Sequence, residues 1–193
     1  MEYRLKLPVN EKDILKMKVG DVLYINGTVV TARDEAHKKA IELYDTGKKL
    51  PIDFSKVAIF HCGPIVRKNK EWKVIAAGPT TSSRMEIFEY DFIKRFNTKI
   101  IIGKGGMGKK TTKACKEFKS IYAAFTGGAA VLAANAIKRI KEVYWLELGM
   151  PEALWVFEVE NFGPLIVTID AYGNNLTEEI KEKAKKIVKK LYA

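Results

Sequence analysis

"TKIIIGKGGMGKKTT", residues 98–112, couples an apolar run to a glycine-rich loop and then to a lysine-rich segment. The order strand, loop, helix sets the chain among α/β proteins. A phosphate-binding loop shares that order. It needs Gly, four residues, Gly-Lys and then Ser or Thr, so that backbone amides cradle phosphate and the hydroxyl ligates magnesium. Gly103, Gly108 and Lys109 satisfy the pattern, but Lys110 stands where the hydroxyl belongs. An ammonium cannot ligate a cation, and sliding the register to Thr111 breaks the glycine spacing. The loop reads as a corner for a small anion rather than as a nucleotide site.

Outward from this loop the chain alternates between strand and helix patterns. Toward the N-terminus, residues 3–7 alternate as a strand, and "DVLYINGTVVTAR" (21–33) reads as a hairpin turning at Asn26-Gly27. Asp34 then caps a helix with Ala36, Ala40, Ile41 and Tyr44 inward and Gly47 at its end. Strands "VAIFHCG" (57–63) and "EWKVIAAG" (71–78) follow, then a helix over "PTTSSRMEIFEYDFIKRF" (79–96) with Met85, Phe88, Phe92 and Phe96 at helical spacing. Beyond the loop come a helix (109–119), a strand (120–125) and a small-residue helix "GGAAVLAANAIKRI" (127–140), expected to be buried on most sides. Strands "EVYWLELG", "LWVFEVEN" and "LIVTIDAYG" precede a final helix over 176–193. No repeat or composition break divides the chain, which predicts one mixed-sheet α/β domain over 1–193.

At 193 residues and 47% apolar content the chain can bury a sizeable core. Its longest apolar stretches fall short of a membrane span, and its first residues lack the apolar core of a signal peptide, so a cytoplasmic protein is expected. Cys62 and Cys115 are the two cysteines; with His37 and His61 they make no zinc spacing, and no metal site in this chain follows. Thirty-four Lys and Arg against 23 Asp and Glu give a net charge of +11. Much of the excess lies on the last helix, where lysines take an outer face and Leu176, Ile180, Ala184, Ile187, Val188 and Leu191 an inner stripe. The charge permits a nucleic-acid module, but no basic and aromatic strand signature accompanies it.

Three strand-to-helix corners pair helix-start amides with a cation: "TARDEAHKK" with Arg33, "AAGPTTSSRM" with Arg84, and "IIIGKGGMGKK" with Lys104. Together such cations could hold two carboxylates, Arg by its fork and Lys as a point charge.

These residues carry a resemblance. "ARDEAHKK", "HCGP", "AAGPTTSSRM", "GKGGM" and "GMPEALWVFEVENFGPLIVTID" are similar, in order from about residue 20 to 176, to the β subunit or C-terminal domain of class I iron-sulfur hydratases, fumarate hydratase and L-tartrate dehydratase. The resemblance implies a swivelling β/β/α domain of three layers with a mixed central sheet. It implies docking on an α subunit, as a probable α2β2 assembly, whose three cysteines hold a [4Fe-4S] cluster with one iron open to substrate as a Lewis acid. It matches Arg33, Arg84 and Lys104, with Gly105 beside it, to groups that grip a small dicarboxylate, and Thr80 to a hydroxyl that handles the proton. Thr80 would need a carboxylate from the partner, since an unaided hydroxyl is a feeble base. His61 faces the same loops, either as a general acid or as a donor behind the site. The implied reaction is fumarate to (S)-malate, with tartrate dehydration as the alternative; no nucleic-acid or membrane partner is implied.

Overall fold

In the computed structural model, which describes residues 1–191, the chain begins with β1 (Glu2–Lys6), a one-turn helix α1 (Glu11–Ile14) and β2 (Val22–Thr31). Next come α2 (Asp34–Asp45), β3 (Ala58–Phe60), β4 (Ile65–Lys68), β5 (Trp72–Ala76), α3 (Glu86–Phe96) and β6 (Ile100–Gly103). The remainder is α4 (Lys109–Phe118), β7 (Ile121–Phe125), α5 (Ala130–Ala136), β8 (Ile137–Tyr144), β9 (Leu154–Ile169) and α6 (Leu176–Leu191).

The central sheet is mixed and partly barrel-like. Strands β2, β3, β6 and β7 run parallel, and β9 pairs antiparallel with both β7 and β2, closing a ring. Outside the ring, β1 lies parallel to β2 and β8 antiparallel to β9, while β4 and β5 form a separate hairpin. Period-two alternation sorts the core residues. Ala58, Phe60, Ile100, Ile102, Ile121 and Ala123 face one core with Trp155 and Phe162, while Ile59, Ile101 and Tyr122 face a second core under α2, α3 and α4. Covered on both faces, β6 is apolar without interruption and fully buried.

Several expectations about the elements fail. Asn26-Gly27 is no hairpin turn: β2 runs straight through it, with Gly27 at φ 120° and a register shift against β9. There β2 changes neighbours, from β1 at Val22–Asn26 to β3 at Val29–Thr31. The segments 154–161 and 165–173 are not two strands but one, β9, because a single long strand is needed to pair with β2, β7 and β8 together. The small-residue helix ends at Ala136, where the chain becomes β8, and only Ala133 within it is buried. On α6 the apolar stripe is uncovered: Ile180, Ile187, Val188 and Leu191 are all exposed, the last at 74%. The final two residues assigned to that helix from the sequence lie outside the described residues. Strand β4 was invisible as a pattern because it is a short, surface hairpin arm with no buried face. Among the described residues, no helix is long and apolar enough to cross a membrane.

Candidate functional site

The parallel strands deliver their C-terminal ends to one edge, where ligands of open α/β sheets bind. Arg33 follows β2, His61 follows β3, and Lys104 follows β6. The segment after β5 is stitched across them: Cys62 bridges Pro79, the Thr80 amide donates to the His61 carbonyl (2.7 Å), and Thr81 forms a parallel bridge with Lys104. All three anticipated corners therefore share one edge. Arg84, half-exposed on the turn before α3, reaches Asp34 at the start of α2 with an Nη2–Oδ2 distance of 2.7 Å. Asp34 is thus the first residue of α2 and a partner of Arg84, not its cap; Arg33 holds the cap position.

Two helix starts are already occupied by carboxylates of this chain. Glu86, at the start of α3, accepts from the Gly108, Lys110 and Thr111 amides (2.7, 2.9 and 3.2 Å) and from the Thr111 hydroxyl (2.6 Å). The amides of Gly108, Lys110 and Thr111 are thereby satisfied within the chain and closed to a phosphate, and the anion corner narrows to Lys104 and Gly105. Glu152 plays the same part at α2. Its carboxylate accepts from the Glu35 amide (3.1 Å) and pairs with Arg33 Nε (3.1 Å). A latch places it there: Thr31 Oγ1 donates to the Ala153 carbonyl (3.1 Å) and accepts from the Trp155 amide (3.0 Å).

Ser82 ties the edge to the interior. Its buried hydroxyl accepts from the Lys104 amide (3.0 Å) and lies 2.9 Å from His61 Nδ1, while its own amide donates to the Lys104 carbonyl (3.0 Å). Gly103 is required here, since a Cβ at that position would stand 1.8 Å from Ser82 Oγ. Tyr122 donates its hydroxyl to the Gly105 carbonyl (3.0 Å), fixing the other side of the loop.

His61 is fully buried behind Ser82, with Nδ1 facing the Ser82 hydroxyl. Beyond it lie His37 and Glu89, equally buried. His61 Nε2 is 3.0 Å and His37 Nε2 3.6 Å from Glu89 Oε2. Burial pushes His37 toward neutral imidazole, against the pull of Glu89. Burial also works to raise Glu89, but His61 and His37 outweigh it and hold the carboxyl below its ordinary range. Sequence reading named His61 and missed Ser82, His37, Glu86, Glu89 and Glu152. One signal was available: Glu89 falls on the apolar stripe of α3 between Met85 and Phe92, where a carboxylate is costly unless partnered.

The two cysteines lie in different cores on opposite sides of the sheet, both buried, and burial pushes both thiols up. A [4Fe-4S] cluster takes three or four thiolates, so two cysteines held in separate cores do not fit one. A cavity of about 990 Å³ opens between the β4–β5 hairpin and β8, lined by Trp72, Lys73, Lys138 and Arg139 among others; it contains none of the edge residues described above.

A family model described as "Fumarase C-terminus" matches residues 2–180. The chain is 50% identical over 183 residues to the L(+)-tartrate dehydratase subunit beta of Escherichia coli, covering 94% of this chain and 90% of that protein. It is 49% identical over 185 residues to a putative L(+)-tartrate dehydratase subunit beta of Methanocaldococcus jannaschii, covering 95% and 94%. A putative fumarate hydratase class I of Geobacillus stearothermophilus is 43% identical over 180 residues, 92% of this chain but 34% of that longer protein.

Proposed function

The chain belongs to the fumarase C-terminus family, and from that premise we propose that it is the β subunit of a hydro-lyase that adds or removes water at a four-carbon dicarboxylate, fumarate to (S)-malate. The observation that carries the reading is the convergence of Arg33, Arg84, Lys104 and Thr80 on one edge of the parallel strands, linked through Asp34 and the Thr81–Lys104 bridge. A tartrate-to-oxaloacetate reaction is the second reading, favoured by the names of the two relatives near 50% identity.

Each residue has a physical task. The forks of Arg33 and Arg84 suit the two oxygens of a carboxylate, and their present partners, Glu152 and Asp34, are the groups that substrate would displace or join. Lys104 and the Gly105 backbone hold the other carboxylate and stabilise the negative charge that develops on it as the neighbouring carbon loses its proton. Thr80 sits half-buried beside them, its hydroxyl handling that proton in relay with a carboxylate from the partner. His61 positions Ser82, and Ser82 the Lys104 loop. A [4Fe-4S] cluster, for which this chain lacks the thiolates, belongs to the α subunit and would supply Lewis-acid chemistry there. Docking of a single swivelling β/β/α domain, residues 1–193, on that α subunit in an α2β2 enzyme of the cytoplasm completes the proposal; the uncovered apolar stripe of α6 and the names "subunit beta" support a partner.

Co-expression with the α subunit, anaerobic reconstitution and assay with fumarate, malate and tartrate tests it. Arg84→Ala and Lys104→Ala should each lower kcat/KM by about 10- to 100-fold, the loss of a charged contact worth about 1.5–3 kcal/mol. Unchanged turnover in both would remove the site assignment, and the preferred substrate decides between the two readings.

A further inference from the structure

His37 on α2, Glu89 on α3 and His61 at the end of β3 converge from three elements on one point, with their donor atoms within 4.8 Å of one another and none exposed. Hydrogen bonding does not account for the arrangement. His37 Nδ1 lies 2.8 Å from the Arg33 carbonyl, which can only accept, so the proton of this ring is on Nδ1 and Nε2 presents a lone pair. That lone pair faces the Glu89 carboxylate, two acceptors 3.6 Å apart in the interior. His61 Nε2 comes within 3.0 Å of the same oxygen but off the line of a hydrogen bond, and both histidine Nε2 atoms and both Glu89 oxygens are left without a hydrogen-bond partner. Two imidazole nitrogens and a carboxylate oxygen, all buried and within 4.8 Å of one another, are suited to a positive charge held between them.

We propose that His37 Nε2, His61 Nε2 and the Glu89 carboxylate bind a divalent transition ion of the zinc type. The spacing fits. Ligands about 2.05 Å from a tetrahedral ion stand about 3.3 Å apart, and the observed separations of 3.0 and 3.6 Å bracket that value. The donor set fits as well, two imidazoles and a carboxylate being a borderline-soft environment suited to zinc. The outer partners follow the rule for metal-bound histidines, each ring engaging a polar group through its other nitrogen: the Arg33 carbonyl for His37, and Ser82 Oγ for His61. Water supplies the remaining position. The ion has no contact with substrate. It clamps α2, α3 and β3 beneath the edge, and its outer partners are Arg33 and, through Ser82, Lys104, so it holds two of the three cations in place.

The full chain alone, without a histidine tag and without the α subunit, suffices as the test, so its outcome is independent of the hydratase reading. Protein from zinc-supplemented cells, measured by plasma mass spectrometry, should carry about one zinc per chain. Chelation should lower the melting temperature by about 5–10 °C, and added zinc should restore it, as expected for an ion bound far above its dissociation constant. Cobalt(II) added to the chelated protein should give the visible absorption of a four-coordinate site, bleached by zinc. Glu89→Gln and His61→Asn should abolish retention. Should these variants fail to fold, the wild-type measurements still decide: metal below about a tenth of an equivalent, with no cobalt band, overturns the proposal and leaves Glu89 paired with His61 alone. Zinc retained equally by folded Glu89→Gln protein overturns it too.

Discussion

Ser82 holds a larger share of the edge than its place in the hydroxyl run "TTSS" suggests. It receives the Lys104 amide, meets His61 Nδ1 and touches the glycine that lets β6 pass beneath it. Ser82→Ala strands two buried polar groups, at a cost of about 1–3 kcal/mol. Scanning calorimetry should record a melting temperature lower by about 3–10 °C, while exposed Ser83→Ala should stay within about 0.5 kcal/mol of the parent. Equal stability of the two variants would show that the hydroxyl is not the hub described. At this scale the cations and the hydroxyl proposed for the site are legible in the sequence, because charged and hydroxyl residues at strand-to-helix corners are visible in one dimension. It concealed Glu86, Glu89 and Glu152, because an acidic residue in a helix or loop looks like surface until a partner far along the chain is seen beside it.

Elements carry the correction to the glycine-rich loop. An α-helix start exposes amides that bind any anion within reach. On α4 the anion is Glu86, delivered by the first turn of α3 at four contacts of 2.6–3.2 Å. Glu86→Ala should cost about 2 kcal/mol, the loss of a helix cap made by a charged acceptor. Urea unfolding should show an earlier midpoint with an unchanged slope. A midpoint equal to the parent's would mean that water serves α4 as well as Glu86 does. Glu152 and α2 repeat the device, with the difference that its carboxylate also pairs with Arg33, a residue assigned here to substrate.

At the scale of the molecule, closure of the ring depends on β2 and β9 running long and uninterrupted against each other. Gly27 makes that possible for β2. At φ 120° it takes a conformation that L side chains rarely adopt, and a Cβ there would come within 3.0 Å of the Leu7 Cβ. Gly27→Ala should therefore destabilise the fold by about 1–3 kcal/mol through strain in the middle of the strand. Guanidinium unfolding checks this. A hairpin turn at the same place would also tolerate Ala poorly, but only the through-strand predicts protection of the β2 amides flanking Gly27 in hydrogen exchange.

By itself the sequence determined the α/β class, the order of most elements, the buried apolar strands and the polar residues that end them, since each follows from local periodicity and from glycine, charge and hydroxyl at junctions. Tertiary structure alone decided that β2 is one strand and β9 another, that the sheet closes through β9, that α6 leaves its apolar stripe uncovered, and that Glu86 and Glu152 fill helix starts belonging to other segments. The physical reason is the same throughout. Periodicity states which face of an element is apolar but not what meets it, and a carboxylate or a lone pair acquires its meaning from the charge beside it, which here is 22 residues away for Glu86 and Gly108 and 117 for Glu152 and Glu35.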